Sequence, residues 1–180
     1  MLWKPNKEDS VCTLTGHSCS VNALAWSPDG NILSSGSDDT TIILWNPRIG
    51  EPIGSLKGHT NDVWNLAWTP DGKTLASASP DMTVKIWDIN DRKEVVSLGG
   101  YSKGVNSVSF SSDGCLLASK SRDGTVHIYR CDDWECIFIL DEPAGGYWAR
   151  LAFHPKDHVL STLGHNDKMI RIWEYDPKLI

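Results

Sequence analysis

His17 and Asp39 form a pair that recurs, 42 residues on, as His59 and Asp81. A histidine held by a carboxylate is the general-base half of a nucleophilic site, and serines stand close by at Ser37 and Ser79. Those serines lie in SSGS and LASAS, which read as strand interiors, not as the sharp strand-to-helix turn that exposes a catalytic serine. Five cysteines (12, 19, 115, 131 and 136) contain no CxxC, and Cys131/Cys136 has no matching Cys or His pair downstream, so no zinc-ligand spacing is present. The acidic pairs Asp38-Asp39 and Asp132-Asp133 fall at turns, where an aspartate accepts from its own backbone. No glycine-rich phosphate loop precedes a helix, because no segment has the apolar spacing of a helix. The sequence therefore predicts neither a metal nor a cofactor.

The histidines sit inside a tandem repeat. Trp3, Trp45, Trp87 and Tyr129 lie 42 residues apart, closing MLWKPN, IILWNP, VKIWDI and VHIYRC; Trp173 closes IRIWEY two residues late. Gly16-His17 and Gly58-His59 keep the same period, as do Pro28-Asp29-Gly30, Pro70-Asp71-Gly72 and Asp113-Gly114. Four units follow, at about 11–52, 53–94, 95–136 and 137–180, with residues 1–6 the remnant of an upstream unit. Within a unit, Val21, Ala23 and Ala25 alternate with Asn22, Leu24 and Trp26, both sets fairly apolar, which is the pattern of a strand packed on two sides. A PDG turn, a strand such as KTLASAS, a polar turn, a strand such as TVKIW and a fourth strand such as PIGSLKG complete it.

With its Gly-His and a Trp-Asp-like dipeptide in each forty-odd residues, the chain resembles the WD-repeat family. The literal dipeptide is Trp87-Asp88; Trp45-Asn46 and Trp173-Glu174 are near variants. The resemblance covers nearly the whole chain. It implies an all-β propeller of four-stranded antiparallel blades around a channel, four of them here. It also implies that the polar set His17, Ser37, Asp39 and Trp45, with His59, Ser79, Asp81 and Trp87, is a structural clamp in which every buried polar group finds a partner. Unit three keeps Ser121 and Asp123 but has Tyr101 for the histidine and Tyr129 for the tryptophan, so Tyr101 is expected to contribute packing in place of a network. Unit four keeps Asp167 and Trp173, with His165 where the serine is expected.

A chain of 180 residues, 40% hydrophobic, can bury a substantial core. A net charge of −6 with no basic run argues against nucleic-acid phosphate and an anionic membrane surface as partners. The odd, irregular cysteines suggest reduced thiols and a cytoplasmic location. SVCTLTG (10–16) is phased as the fourth strand of a preceding blade, and is expected to pair with IRIWEY (170–175) in the same chain or in a symmetry mate. The four blades then belong to a larger ring, to an eight-bladed ring of two chains, or to a ring that closes alone.

Function must come from the surface. The leading reading is a non-catalytic scaffold or sensor that binds a protein or peptide on the face carrying the loops before the first strand and between the second and third. The alternatives are the sensor region of a bacterial ATPase-type signalling protein, which the close repeats with their PDG and LAS-type strings resemble in style, and an enzyme with its site at the channel mouth. Trp64 replaces a polar or small residue at the positions of Asn22, Asn106 and Ala149. Trp64, Tyr147 and Arg122 are the candidate anchors, with Asn22 and Asn106 beside them and Asp38 and Asp62 favouring a basic segment of the partner.

Overall fold

The structure is a computed structural model that describes residues 2–3, 10–143, 149–164 and 167–176. Strands β1 (Leu2–Trp3) and β2 (Ser10–Cys12) form a two-stranded sheet. Three four-stranded antiparallel meanders follow. Blade one is β3 (Val21–Trp26), β4 (Leu33–Ser37), β5 (Thr41–Asn46) and β6 (Glu51–Lys57). Blade two is β7 (Asn65–Trp68), β8 (Thr74–Ala78), β9 (Val84–Asp88) and β10 (Lys93–Leu98). Blade three is β11 (Val105–Phe110), β12 (Leu116–Ser121), β13 (Thr125–Arg130) and β14 (Cys136–Asp141). Blade four shows three strands among the described residues, β15 (Leu151–Phe153), β16 (Val159–Leu163) and β17 (Ile170–Glu174). No helix occurs among the described residues.

The turns form where the residue types demand them. Gly30, Gly72 and Gly114 carry φ of 70°, 71° and 75°, the left-handed conformation a glycine takes without steric cost. In the first of these turns Asp29 accepts from the Ser27 hydroxyl and the Asn31 amide, which holds its carboxyl down at about 2.

Each blade presents one face to the blade before it and the other to the blade after. Ala23, Ile42, Leu44 and Leu56 of blade one meet Val63, Leu66, Trp68 and Trp87 of blade two. Ala76, Ala78, Val84 and Ile86 meet Val105, Val108, Phe110 and Tyr129, and Ala118, Val126 and Ile128 meet Leu151, Phe153 and Trp173. Each fully enclosed aliphatic side chain contributes about 1.5–3 kcal/mol, so these seams are the core.

The two-sided packing expected of β3 is half realised. Ala23 is buried, but Leu24 and Trp26 are 65% and 50% exposed because no sheet among the described residues covers their side. The pairing expected between 10–16 and 170–175 is not made within the chain: β2 lies on β1, and β17 pairs with β16 alone among the described residues. Among the described residues nothing covers the first face of blade one or the last face of blade four.

Candidate functional site

In an up-and-down meander the first strand of each blade starts, and the turn between its second and third strands lies, at the same end of the sheet. Asn22, Trp64 and Asn106 therefore share an end with Asp38, Pro80 and Arg122, and with the loops that hold Ser20 and Asp62. Main-chain bonds knit this end together across the seams: Val63 N–H donates to Ser37 O at 3.0 Å and Val105 N–H to Ser79 O at 2.9 Å.

Of the candidate anchors, two come together. The Arg122 guanidinium carbon lies 5.8 Å from the centre of the Trp64 ring, which joins blades two and three at their loop end. Both residues are half-buried. A third residue, which the sequence did not single out, supports them: Arg150 donates to Asn106 O at 2.8 Å and sits 3.5 Å from Trp64 O. Asp38 accepts from the Asn22 amide and stays half-buried, as does Asp62. Asn106 was expected on the exposed face and is 1% exposed instead. Blades flank it on both sides, and Arg150 reaches its carbonyl; Asn22 is open because no blade among the described residues lies on that side of blade one. Tyr147, His165 and Asn166 lie outside the described residues.

The histidine–aspartate pairs form as expected, with a different serine. His17 Nδ1 lies 2.8 Å from Asp39 Oδ2 and its Nε2 lies 2.7 Å from Ser35 Oγ, while Trp45 Nε1 donates to that same hydroxyl at 2.7 Å. Blade two repeats this at 2.7, 2.7 and 2.8 Å through His59, Asp81, Ser77 and Trp87. Ser37 and Ser79, assigned to the clamp from the sequence, instead cap the turn, accepting from Asp39 N–H and Asp81 N–H at 3.1 Å. The register explains the correction. Leu33 pairs with Trp45, so the hydroxyl under the indole is two residues past Leu33, at Ser35, and Ser37 is already at the strand end.

This is a Ser–His–Asp constellation in distance, but Ser35 and Ser77 are 3% and 0% exposed. Their oxygens already take an indole N–H, so no reacting carbonyl reaches them. Burial works to raise the Asp39 and Asp81 carboxyls. Hydrogen bonds from Thr41, Ser18 and His17, and from His59, Thr83 and Thr60, outweigh it and hold both below the usual carboxylate range.

Blade three was expected to lose the network and keep packing alone. It keeps a network. Tyr101 Oη lies 2.6 Å from Ser119 Oγ and 2.7 Å from Tyr129 Oη, and the Tyr101 ring stacks on His127 at 4.4 Å. Burial raises Tyr101 well above the ordinary phenol, with Tyr129 beside it adding to the effect. Burial likewise pushes Tyr129 up to about 12.

In blade four the register Leu160–Trp173 puts Thr162, not His165, under the indole, and Trp173 Nε1 donates to it at 3.1 Å. Glu142 takes the histidine's part, bonded to the Thr162 hydroxyl on one oxygen and to the Lys120 ammonium on the other. Asp167 pairs with Arg171. An apolar cleft of about 290 Å³ between Leu116, Ile128, Phe138, Phe153, Trp173 and Tyr175 marks the seam between blades three and four. Among the described residues no cluster could hold a metal ion.

The WD domain, G-beta repeat family matches residues 8–46, 50–88 and 92–130. Protein FIZZY-RELATED 3 of Arabidopsis thaliana is 50% identical over 42 residues, 23% of this chain and 9% of its own length. The structure of U3-55K superposes with a TM-score of 0.82 at 24% identity, over 90% of this chain and 51% of that one. The crystal structure of the RRP9 WD40 repeats does so with 0.82 at 25% identity, over 90% and 50%. The chain thus spans about half of these solved propellers and less than a tenth of the Arabidopsis protein.

Proposed function

The chain belongs to the WD-repeat family, and from that premise we propose that it is a non-catalytic binding module that holds a protein or peptide segment at the loop end of blades two and three. The observation that carries this is Arg122 over the Trp64 ring. An indole stands there where the sister units have Asn22 and Asn106, so a general packing need does not account for it. Aromatic and arginine side chains supply most of the energy of protein interfaces. Trp64 offers an apolar platform, Arg122 a positive charge beside it, and Asp38 and Asp62 an acidic rim that favours basic residues alongside. The five unpaired thiols support a reducing compartment, with the cytoplasm as the proposed location.

The test is selection of a displayed random-peptide library on the whole chain, followed by binding of the selected peptides to variants. Trp64→Ala should cost at least about 2 kcal/mol, roughly thirtyfold in affinity, and Arg122→Gln less. Selected peptides that bind Trp64→Ala as tightly as the parent would move the site elsewhere.

A further inference from the structure

At the end of the sheets opposite Trp64 the seams between blades are not equally filled. The turn between the first and second strands of a blade lies at that end, and so does the turn between the third and fourth. Pro70 in the first of blade two's turns faces Gly114 in that of blade three, where a Cβ on the glycine would come 3.3 Å from the proline ring. Pro28 faces Gly72 one seam earlier, at 3.5 Å. In that earlier seam Ile89 is 8% exposed, and Ile32 packs on the same apolar cluster. Forty-two residues on, the corresponding places hold Thr74 and Cys131. Both are shorter than isoleucine and leave part of the seam unfilled. A cavity of about 470 Å³ opens there between Pro70, Asp71, Thr74, Asp113, Cys131 and Trp134.

The lining holds two carboxylates and an indole and contains no cationic side chain. In each aspartate Oδ1 takes both bonds of its own turn, from the Thr69 hydroxyl and Lys73 N–H at Asp71, and from the Ser111 hydroxyl and Cys115 N–H at Asp113. Among the described residues neither Oδ2 accepts a hydrogen bond; Lys73 Nζ, on a side chain largely in solvent, comes within 3.8 Å of the Asp71 one. The Thr69 bond does most to hold the Asp71 carboxyl below the usual range. Burial works to raise Asp113, and its Ser111 and Cys115 bonds outweigh it, so both are charged at neutrality. The neighbouring acids differ: Asp132, Asp133 and Glu135 are each paired with Arg130. Trp134 stands where blade two has Arg92 and blade one has Gly50. Their φ values are 61°, 54° and 77°, a left-handed conformation that suits the glycine and strains the tryptophan.

We propose that this cavity receives an arginine side chain of a partner protein, with the guanidinium on the Trp134 ring and paired with the Asp71 and Asp113 carboxylates. A planar, weakly hydrated cation suits an aromatic wall and a carboxylate together, which a lysine ammonium does less well. The earlier seam is the internal comparison. There the chain places a cation of its own, Arg92, at the position of Trp134, and two isoleucines take the space. In the later seam the space, the carboxylates and an aromatic wall are present and the cation is not. Blades two and three, which form the cavity, each have a described blade packed on their other face. The site lies at the far end of the sheets from Trp64 and does not rest on the reading given to that residue.

The test is titration of the 1–180 chain with the peptide acetyl-Gly-Arg-Gly-amide, followed through the indole N–H signals of its nine tryptophans by NMR. Trp134→Arg, which copies blade two, assigns the Trp134 signal by its loss and should abolish binding. In the parent that signal should shift and saturate. A citrulline peptide, neutral and of nearly the same shape, should bind roughly tenfold more weakly. Asp71→Asn and Asp113→Asn should each weaken binding about threefold. Thr74→Ile combined with Cys131→Ile, which copies the packing of the earlier seam, should abolish binding in a chain that melts no lower than the parent. A Trp134 signal that does not move would overturn the proposal, as would equal binding of the citrulline peptide or of the filled variant. A lysine peptide that binds as tightly as the arginine one would overturn the assignment to arginine.

Discussion

Blades one and two fasten their third strand with histidine and aspartate; blades three and four fasten theirs with other chemistry in the same place. The shared element is a hydroxyl under the aromatic ring: Ser35, Ser77, Ser119 and Thr162. What approaches that hydroxyl from the incoming loop differs: imidazole twice, then the Tyr101 phenol, then the Glu142 carboxylate with Lys120 behind it. The position selects for a satisfied hydrogen bond and not for a residue type. The cost of breaking it should therefore follow the charge that is left stranded.

Blade four gives the largest expected effect. The side chains of Lys120 and Glu142 are fully enclosed, so removing one strands a charge away from water. Lys120→Met should cost about 3–5 kcal/mol in urea unfolding, and pairing it with Glu142→Gln should recover most of that, since replacing both charges removes the desolvation penalty. If the double variant were as unstable as the single one, the lysine would matter for its shape and not for its charge.

Blades two and three can be compared directly. His59→Ala removes a partner of the Asp81 carboxylate and leaves an imidazole-sized void, which should cost about 2–3 kcal/mol. Tyr101→Phe keeps the ring and deletes one hydroxyl. Ser119 retains His127 O and Tyr129 retains His127 Nδ1, so about 0.5–1.5 kcal/mol is expected. Thermal melts of the two variants decide it. Equal losses would mean that the aspartate adds nothing to the pin.

The repeat, its strands and its PDG turns were legible because period-two apolarity and a required left-handed glycine leave a mark in single residues. The choice between Ser35 and Ser37 was not. Both recur at 42 residues and both point to the same side of β4, so only the pairing of Leu33 with Trp45 separates them. Thr162 was hidden by a longer loop in unit four, which shifted the spacing by one. Glu142 carries no motif at all; its role follows from where the strand register leaves room. Of the candidate surface, the oddity of an indole at position 64 was readable, and Arg122 does meet it. The burial of Asn106 was not readable, because it depends on Arg150 of the next blade, more than forty residues away.

The smallest effect is a slope with pH that separates the two kinds of pin and is zero at neutrality, where both contributions are complete. Asp39 and Asp81 have lowered carboxyls in the folded chain, so their stabilisation is present above the unfolded value of about 3.9 and is lost as pH falls through the folded ones. Tyr129 is raised to about 12, and Tyr101 is raised as well. Their neutral form is the one the fold prefers, so that contribution is complete below about 10 and is lost as pH rises toward about 12. Blades one and two therefore shape the acid limb of the stability profile, and blade three the alkaline limb. Asp81→Asn should flatten the first and leave the second unchanged, while Tyr129→Phe should do the reverse, read as urea midpoints across a pH series. Variants whose profiles stay parallel to the parent on both limbs would show that neither pin is linked to protons, and that the difference between the blades is one of shape alone.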